Sequence, residues 1–286
     1  MNIIHGYRDN KALRDSFNQL AEQTFGLNFE GWYQNGFWKE NYDPHSIVLD
    51  GKVVSNVSVN RTDLVIGGKR YEILQLGTVM TAPEYRGRGY GRAIMEYIEK
   101  EYADVDGIYL FGNDGVVDYY PKFGFRPGVE HAYRKAVSQT GESRAEQVMM
   151  DCPEAWEKLA AAMEKSTFRE GCRMVDNPGL IFFYVSQFMQ EAVYYIDSLD
   201  AWVIAEPEEG CLTIHNIFAD SSVTIDDVAA AFGAAVKEIA LGFAPECAEG
   251  WEITELREED CNFFVRGAVF GEFEERKLRI PSLSHA

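Results

Sequence analysis

The run RGRGYG at residues 86–91 places two arginines and three glycines together in this sequence. Glycines let an anion approach the backbone closely, and arginines add positive charge and hydrogen-bond donors. From Arg92 on, apolar side chains recur at helical spacing, so the run opens a predicted helix. The first turn of a helix has N–H groups without an intrahelical partner, at the positive end of its dipole. The pattern therefore predicts an anion site, which we interpret as a pyrophosphate site.

The spacing of this run excludes two common phosphate-binding motifs. No Gly-Lys-Ser/Thr sequence follows, so it is not a P-loop, and G-x-G-x-G lacks the third glycine of the dinucleotide-binding G-x-G-x-x-G. An apolar strand predicted to end near Met80 precedes the run, and Pro83 stops that strand. The motif is therefore a strand, a short loop and a glycine-rich helix start.

A second motif follows downstream. Residues 107–111 form another predicted apolar strand, Asn113 follows it, and residues 119–125 read YYPKFGF. The first motif, R-x-x-G-x-G from Arg86 to Gly91, resembles the acyl-coenzyme A signature of the GNAT acetyltransferase superfamily. The second is similar to the F-Y-x-K-x-G-F of the same superfamily, and the two occur in its order. The resemblance covers roughly the first half of the chain.

The resemblance implies that acetyl-CoA is the co-substrate, and it assigns roles to residues of both motifs. Backbone groups at the end of the first strand would contact the pantetheine arm, and the N–H of Val79 or Met80 would stabilise the tetrahedral oxyanion. Asn113 would hydrogen-bond the pantetheine or an ordered water, unless it only caps a helix. The predicted coenzyme-binding residues are Val79, Met80, Thr81, Arg86, Gly87, Arg88, Gly89, Tyr90, Gly91, Arg92 and Asn113.

Tyr120 stands where the resemblance places an acid tyrosine, which would protonate the departing thiolate. The alternative is that Tyr120 is a packing aromatic, like its neighbour Tyr119. The register of the motif favours Tyr120 as the acid.

The base that would neutralise the attacking amine is left open by the sequence. Glu72 lies on the predicted strand, although the strand pattern does not say which face it occupies, and Asp118 lies near the acid in sequence. In Eis-type members of the superfamily the terminal carboxylate is the base, which points here to Ala286 or to His285 beside it. A loose tail is the commoner fate of a chain terminus.

The order of the predicted elements reads as an α/β (α+β) fold in which a mixed sheet is flanked by helices. Asp9 or Asn10 can cap a first helix, and aromatic residues crowd a second helical stretch at 28–38. The resemblance places that stretch over the acceptor pocket, and the alternative is a helix packed on the sheet. Hairpins are predicted at the turns Asp50-Gly51 and Gly67-Gly68.

The polar run at 138–145 is the predicted linker between two domains, 1–138 and 146–286. The second domain reads as helices, strands and a long helix over 224–241, an order that faintly echoes the first. In place of RGRGYG it has ADSSVT at 219–224, without glycine or arginine and with an aspartate that would repel phosphate. We therefore expect a second α/β domain without a CoA site, either a degenerate GNAT-like copy or a chance echo.

The charge of the chain is lopsided. The formal net charge is −19, and residues 141–286 carry 28 acidic against 11 basic residues, whereas residues 1–140 carry 18 against 16. This acidity argues against nucleic acid as a partner, because phosphate contacts need lysine and arginine. It would draw a small cationic amine towards a cleft, although acidic surfaces also simply keep proteins in solution.

The five cysteines are scattered without a C-x-x-C pair, so we expect free thiols, and neither they nor the five histidines predict a metal site. The N-terminus lacks a basic-then-apolar signal, and no apolar run is long enough to span a membrane. These features predict a cytoplasmic location and no membrane partner. A homo-oligomer is compatible with the sequence.

Three functions compete at this point. The first is an N-acetyltransferase that moves an acetyl group from acetyl-CoA to a primary amine of a small cationic acceptor in a ternary complex. The second is a non-catalytic acyl-CoA sensor or protein-interaction module, in which the signature is kept and the catalytic acid is not needed. The third is transfer to a protein N-terminus or lysine. The tyrosine in register at Tyr120 favours an enzyme.

Overall fold

The computed structural model describes residues 2–285 of the 286-residue chain. Its helices are α1 (Lys11–Phe25), α2 (Glu30–Gln34), α3 (Tyr90–Glu101), α4 (Pro153–Lys165), α5 (Pro178–Gln187), α6 (Ile225–Ala231) and α7 (Val269–Glu275). None of the helices in this range is long and apolar enough to cross a membrane. The described cysteines are all free, as the sequence predicts.

Strands fall into two large sheets and one small one. Their bounds are β1 (Ile3–Ile4), β2 (Tyr42–Leu49), β3 (Lys52–Arg61), β4 (Leu64–Ile66), β5 (Lys69–Tyr71), β6 (Ile73–Thr81), β7 (Gly107–Gly112), β8 (Arg126–Pro127), β9 (His131–Ala136), β10 (Glu146–Gln147), β11 (Cys172–Met174), β12 (Val193–Ile196), β13 (Ala201–Glu208), β14 (Cys211–Phe218), β15 (Glu238–Leu241), β16 (Glu252–Glu255) and β17 (Asn262–Arg266). The predicted mixed α/β fold is confirmed.

The two large sheets have the same plan. The first has the order β1-β2-β3-β6-β7-β17-β8 and the second β10-β12-β13-β14-β15-β9-β16. In each sheet the fourth and fifth strands run parallel, and every other neighbouring pair runs antiparallel. The second sheet therefore repeats the first strand for strand, as expected of a degenerate copy.

The two sheets exchange one strand each. Strand β17, from the second half of the chain, lies between β7 and β8 of the first sheet. Strand β9, from the first half, lies between β15 and β16 of the second sheet. The small sheet, β11-β4-β5, also joins the two halves. The division into domains 1–138 and 146–286 stays a prediction, but each sheet contains one strand from the other side of that boundary.

Local capping explains where several helices begin. The Asn10 side chain caps α1 by accepting a hydrogen bond from the Leu13 N–H, and Gly26 ends that helix in the left-handed conformation at φ 70°. Helix α2 is much shorter than the predicted stretch at 28–38, because the chain turns at Gly36 with φ 71°. The sequence pattern does not predict helix α5. Asn177-Pro178-Gly179 looks like a turn that interrupts regular structure, but in the structure Asn177 is the N-cap of α5 and Pro178 begins its first turn.

The predicted helix over 224–241 is wrong beyond its first two turns. Thr224 and Asp227 form a capping box, but α6 ends at Ala231. Gly233 then adopts φ 80°, and a Cβ atom there would lie 2.8 Å from the backbone of Glu142. The apolar residues that follow form the buried strand β15 instead.

Candidate functional site

The candidate site opens where two parallel strands of the first sheet part. Strands β6 and β7 are in register from Ile73 opposite Gly107 to Leu76 opposite Leu110, and they separate beyond that pair. A cavity of about 710 Å³ occupies the opening. Its walls come from the end of β6, the glycine-rich loop, the start of α3, the end of β7 and the turn that carries Tyr120.

A bulge shapes the β6 side of this cavity. The register between β3 and β6 shifts between Asn56 and Ser58, and Thr78 opposite the shift has φ 41°, which is a strained conformation for threonine. The Thr78 hydroxyl lies 2.9 Å from the Tyr42 hydroxyl, and the Asn56 amide donates to the Thr78 carbonyl at 3.0 Å. This buried network holds the bulge in place.

Sequence reasoning missed that network, although a signal is present in β3. Four polar residues occupy a strand that is otherwise apolar and fully buried in its middle, namely Ser55, Asn56, Ser58 and Asn60. Buried polar side chains need hydrogen-bond partners, so such a run indicates a structured polar network rather than plain packing.

The glycine-rich loop has the conformation that its sequence requires. Gly87 and Gly89 have φ of 74° and 80°, values at which a side chain would be strained. Gly89 is the N-cap of α3 and has no side chain that could accept a hydrogen bond from the first turn. The first hydrogen bond of the helix runs from the Ala93 N–H to the Gly89 carbonyl. The three N–H groups before Ala93 have no acceptor within residues 2–285. These groups belong to Tyr90, Gly91 and Arg92, which line the cavity at the predicted anion site.

The two predicted arginines of the loop have different positions. Arg86 lines the cavity and donates from Nε to the Thr81 carbonyl at 3.1 Å. Arg88 does not line the cavity: it donates to the Glu84 carbonyl at 2.9 Å and lies over the Tyr85 ring. Of the predicted coenzyme-binding residues, all but Arg88 line the cavity: Val79, Met80, Thr81, Arg86, Gly87, Gly89, Tyr90, Gly91, Arg92 and Asn113.

The third glycine of the run is explained by a tyrosine that sequence reasoning treated as packing. A Cβ atom on Gly91 would lie 3.0 Å from the hydroxyl of Tyr119. Tyr119 also lines the cavity, and its ring packs on Phe123. The Gly91 backbone and the Tyr119 hydroxyl therefore form one closely fitted part of the wall.

Tyr120, the predicted acid, lies in the cavity wall. Its ring is 4% exposed and packs against Phe125 and Phe264, and a Cβ atom on Gly112 would lie 2.8 Å from it. Burial raises the pKa of Tyr120 above its ordinary value. The phenol is therefore protonated at neutral pH, and its hydroxyl makes no hydrogen bond within residues 2–285, so it is available as a donor.

Glu72 does not fit the role of base in this cavity. It is exposed and lies just before β6 begins, at the end of that strand opposite the cavity, where its backbone N–H donates to the Asp106 carboxylate at 2.8 Å. Asp118 is also exposed and outside the cavity wall. Among the described residues that line the cavity there is no aspartate, glutamate or histidine. The remaining candidate, Ala286, lies outside the described residues.

The chain leading to Ala286 is packed through His285. The Tyr109 hydroxyl donates to the Ser284 carbonyl at 2.8 Å, and the His285 ring stacks on Phe111, with ring centroids 3.9 Å apart. Phe111 lines the cavity, whereas none of the described tail residues does. Burial lowers the pKa of His285 to about 3, which leaves a neutral ring and makes it a weak base.

The aromatic stretch at 28–38 belongs mostly to the core. Phe29, Trp32 and Trp38 are each at most 3% exposed and pack together with Phe17. The nearby residues that line the cavity are Phe25 and Leu27, at the end of α1 and just beyond it.

The comparisons with known proteins agree with this geometry. Residues 9–128 match a family described as an acetyltransferase (GNAT) domain. No curated protein matches the chain in sequence.

Several solved structures share the fold over nearly the whole chain. A probable N-acyltransferase from Enterococcus faecalis V583 is 15% identical with a TM-score of 0.58, and covers 96% of this chain and 75% of its own. Eis1 from Mycobacterium abscessus is 14% identical with a TM-score of 0.56, covering 92% and 73%. A GCN5-related N-acetyltransferase from Kribbella flavida is 18% identical with a TM-score of 0.55, covering 93% and 72%. At these identities the similarity concerns the fold.

Proposed function

We propose that the chain is an N-acetyltransferase, because residues 9–128 match a family described as an acetyltransferase (GNAT) domain. The proposed reaction moves an acetyl group from acetyl-CoA to a primary amine of a small cationic acceptor, directly and within a ternary complex. The GNAT family uses acyl-CoA as donor. The acetyl donor, the acceptor class and turnover itself are parts of the proposal.

The observation that carries the proposal is that one cavity gathers three chemical elements. These are the open end of β6, the unpartnered N–H groups at the start of α3, and the buried phenol of Tyr120. The pyrophosphate would lie on the N–H groups of α3, with Arg86 and Arg92 adding positive charge. The pantetheine would lie between the separated strands, which brings the thioester towards Tyr120.

Each step of the proposed acyl transfer, except removal of the proton from the amine, is assigned to a group at this site. The neutral amine attacks the thioester carbonyl, and an N–H of Val79 or Met80 stabilises the oxyanion. When the intermediate collapses, the carbon–sulfur bond breaks, and Tyr120 donates its proton to the leaving thiolate. The amine loses a proton to a base, and no aspartate, glutamate or histidine among the described residues of the cavity wall supplies it.

The acceptor class rests on charge. The cavity wall carries arginines and no acidic side chain among the described residues, so a cationic acceptor would not be recognised by the wall itself. The formal net charge of −19 would instead raise its local concentration around the protein. High salt should therefore raise the KM for a cationic amine more than the KM for acetyl-CoA.

The test is release of free CoA thiol from acetyl-CoA with a panel of primary amines. We expect Tyr120→Phe to lower kcat by roughly ten- to a thousandfold, because it removes the general acid and keeps the ring. The matched control is Tyr97→Phe on α3, which should be unchanged. Coenzyme binding without turnover on a broad panel would contradict the proposal and favour an acyl-CoA sensor.

A further inference from the structure

A second cavity, of about 560 Å³, lies in the other half of the molecule. Its walls come from α4, the segment leading into β11, α5, β14 and the tail residues Pro281, Leu283 and Ser284. The next tail residue, His285, stacks on Phe111 in the wall of the first cavity. The tail therefore separates the two cavities, and the chemistry proposed above makes no use of the second one.

A buried carboxyl group lines this second cavity without a partner. The Glu170 Oε2 atom is buried and has no hydrogen-bond partner within residues 2–285. The backbone beside it is fixed, because the Gly171 N–H donates to the Ala244 carbonyl at 2.8 Å. Burial raises the pKa of Glu170 to about 8, and the nearby charge of Arg173 opposes that shift. A buried carboxyl without a protein partner is costly for folding, and a bound donor group would offset that cost.

An arginine of the same cavity is also without a partner. Arg173 lines the cavity and is half-buried, and its guanidinium makes no hydrogen bond or ion pair within the described residues, although its charge acts on Glu170 at longer range. The other charged side chains that line this cavity are Asp176 and Glu164. Asp176 is held by Arg70 at 2.6 Å, and Glu164 on α4 is exposed to solvent. The cavity thus presents one free carboxyl and one free guanidinium.

The remaining walls are largely apolar. Phe168, Met174, Ile181 and Phe182 contribute side chains from three different elements. The volume lies within the range of about 300–1,000 Å³ that is usual for small-molecule sites, which combine apolar walls with a few placed polar groups.

We propose that this second cavity binds an amphiphilic amino-acid-like zwitterion, with its ammonium group at Glu170, its carboxylate at Arg173 and its side chain against the apolar wall. A simple cation would leave Arg173 unpaired, and a simple anion would leave Glu170 unpaired, whereas a zwitterion satisfies both. The site is distinct from the acyl-CoA cavity and does not depend on the acyltransferase proposal.

The test is calorimetric titration of the full chain with L-phenylalanine and L-leucine. Phenethylamine, which has only the ammonium, and 3-phenylpropionate, which has only the carboxylate, are the matched ligands. We expect both amino acids to bind, and each single-charge ligand to bind at least about tenfold more weakly. Equal binding of either single-charge ligand, or no binding of the amino acids at millimolar concentration, overturns the proposal.

Two substitutions test the two charges separately. Glu170→Gln and Arg173→Gln should each weaken amino-acid binding at least about thirtyfold, because each leaves one ligand charge without its partner in the cavity. Glu164→Gln, at an exposed position of the same cavity, should leave binding unchanged. Unchanged binding in both of the first two variants, with wild-type thermal unfolding, overturns the assignment.

Proton release gives an independent readout. Glu170 is largely protonated in the empty cavity, and a bound ammonium would favour its charged form, so binding near pH 7 should release up to one proton. This appears as a dependence of the binding heat on the buffer, and it should vanish in Glu170→Gln. A titration with CoA on the same sample separates the two proposals, because loss of CoA binding alone would affect only the acyltransferase.

Discussion

The two parallel strand pairs, β6/β7 and β14/β15, have the same place in their sheets but differ in what lies beyond the paired residues. Strands β6 and β7 share four register pairs and then part around an open cavity, and β14 and β15 also share four register pairs. Beyond the second set, the tail of the chain fills the gap. The Ser282 hydroxyl lies 2.9 Å from His215 Nδ1, and the Ser282 N–H donates to the Gly242 carbonyl at 2.7 Å.

The loops that follow β6 and β14 also differ, because one leaves backbone N–H groups without a partner and the other caps its helix. The first loop leaves the N–H groups at the start of α3 open, because its N-cap is Gly89, which has no side chain. In the second loop the Asp220 carboxylate accepts from the Ser222 N–H, and Thr224 and Asp227 cap α6. The same arrangement of strands therefore becomes a binding site or a structural junction according to whether the chain satisfies its own polar groups.

The largest expected effect comes from a matched pair of substitutions in these two loops. Gly89→Glu should weaken acetyl-CoA binding at least about 100-fold, because it places negative charge and a strained φ at the phosphate position. Ser222→Glu, in the second loop, should leave binding unchanged. Calorimetric titration measures both, and equal weakening by the two variants would mean that the comparison of the loops is wrong.

The bulge in β6 should give the next largest effect. Thr78→Val keeps the branched shape and removes the hydroxyl that contacts Tyr42, Asn56 and Ser58. We expect the free energy of unfolding to fall by about 1–3 kcal/mol, because buried polar groups lose a partner. We also expect kcat to fall roughly tenfold as the oxyanion-binding backbone shifts. Urea unfolding and thiol release measure these quantities, and unchanged values of both would show that the network does not shape the site.

The contact that fills the second strand gap should matter for stability alone. Ser282→Ala removes the hydrogen bond to His215, and we expect a loss of about 1 kcal/mol in the free energy of unfolding. Acetyl-CoA affinity should stay at the wild-type value, since Ser282 does not line the first cavity. A fall in affinity comparable to that of Gly89→Glu would show that the two gaps are not independent.

The smallest expected effect is a dependence of stability on pH. Burial lowers the pKa of His215 below its ordinary 6.5, with Glu206 acting in the opposite direction. When the pH falls below 6.5, the unfolded chain binds a proton that the folded chain does not, so stability decreases towards acid. Urea unfolding at pH 7.5 and 5.5 should show a smaller decrease for His215→Gln than for wild type. An equal decrease would show that His215 titrates normally.

The predicted coenzyme-binding residues come together in the first cavity because most of them are close in sequence. Glycines 87, 89 and 91, Arg86 and Tyr120 are fixed by turn conformations and by short motifs, and the structure brings them to one cavity. Arg88 does not line this cavity, because its guanidinium donates to the Glu84 carbonyl and lies over the Tyr85 ring, and its coenzyme-binding role stays a prediction. The residue types in the motif are the same for both arginines, so they cannot show that Arg86 lines the cavity and Arg88 does not.

The features that the sequence does not predict depend on contacts between distant parts of the chain. The exchange of β9 and β17 joins segments far apart in sequence, and no local period reports which sheet a strand will join. The polar network around Thr78 joins strands β2, β3 and β6. The helix predicted over 224–241 fails because burial of residues 238–241 in a sheet overrides their helical pattern.

The central claim is that an acyl-CoA binds in the gap between β6 and β7 and not in the gap between β14 and β15. The number of acetyl-CoA molecules bound per chain tests this claim most directly. A calorimetric titration of the full chain with acetyl-CoA should give one molecule bound per chain, and none in Gly89→Glu. Two molecules bound per chain, or a complete absence of binding by the wild-type protein, would contradict the account.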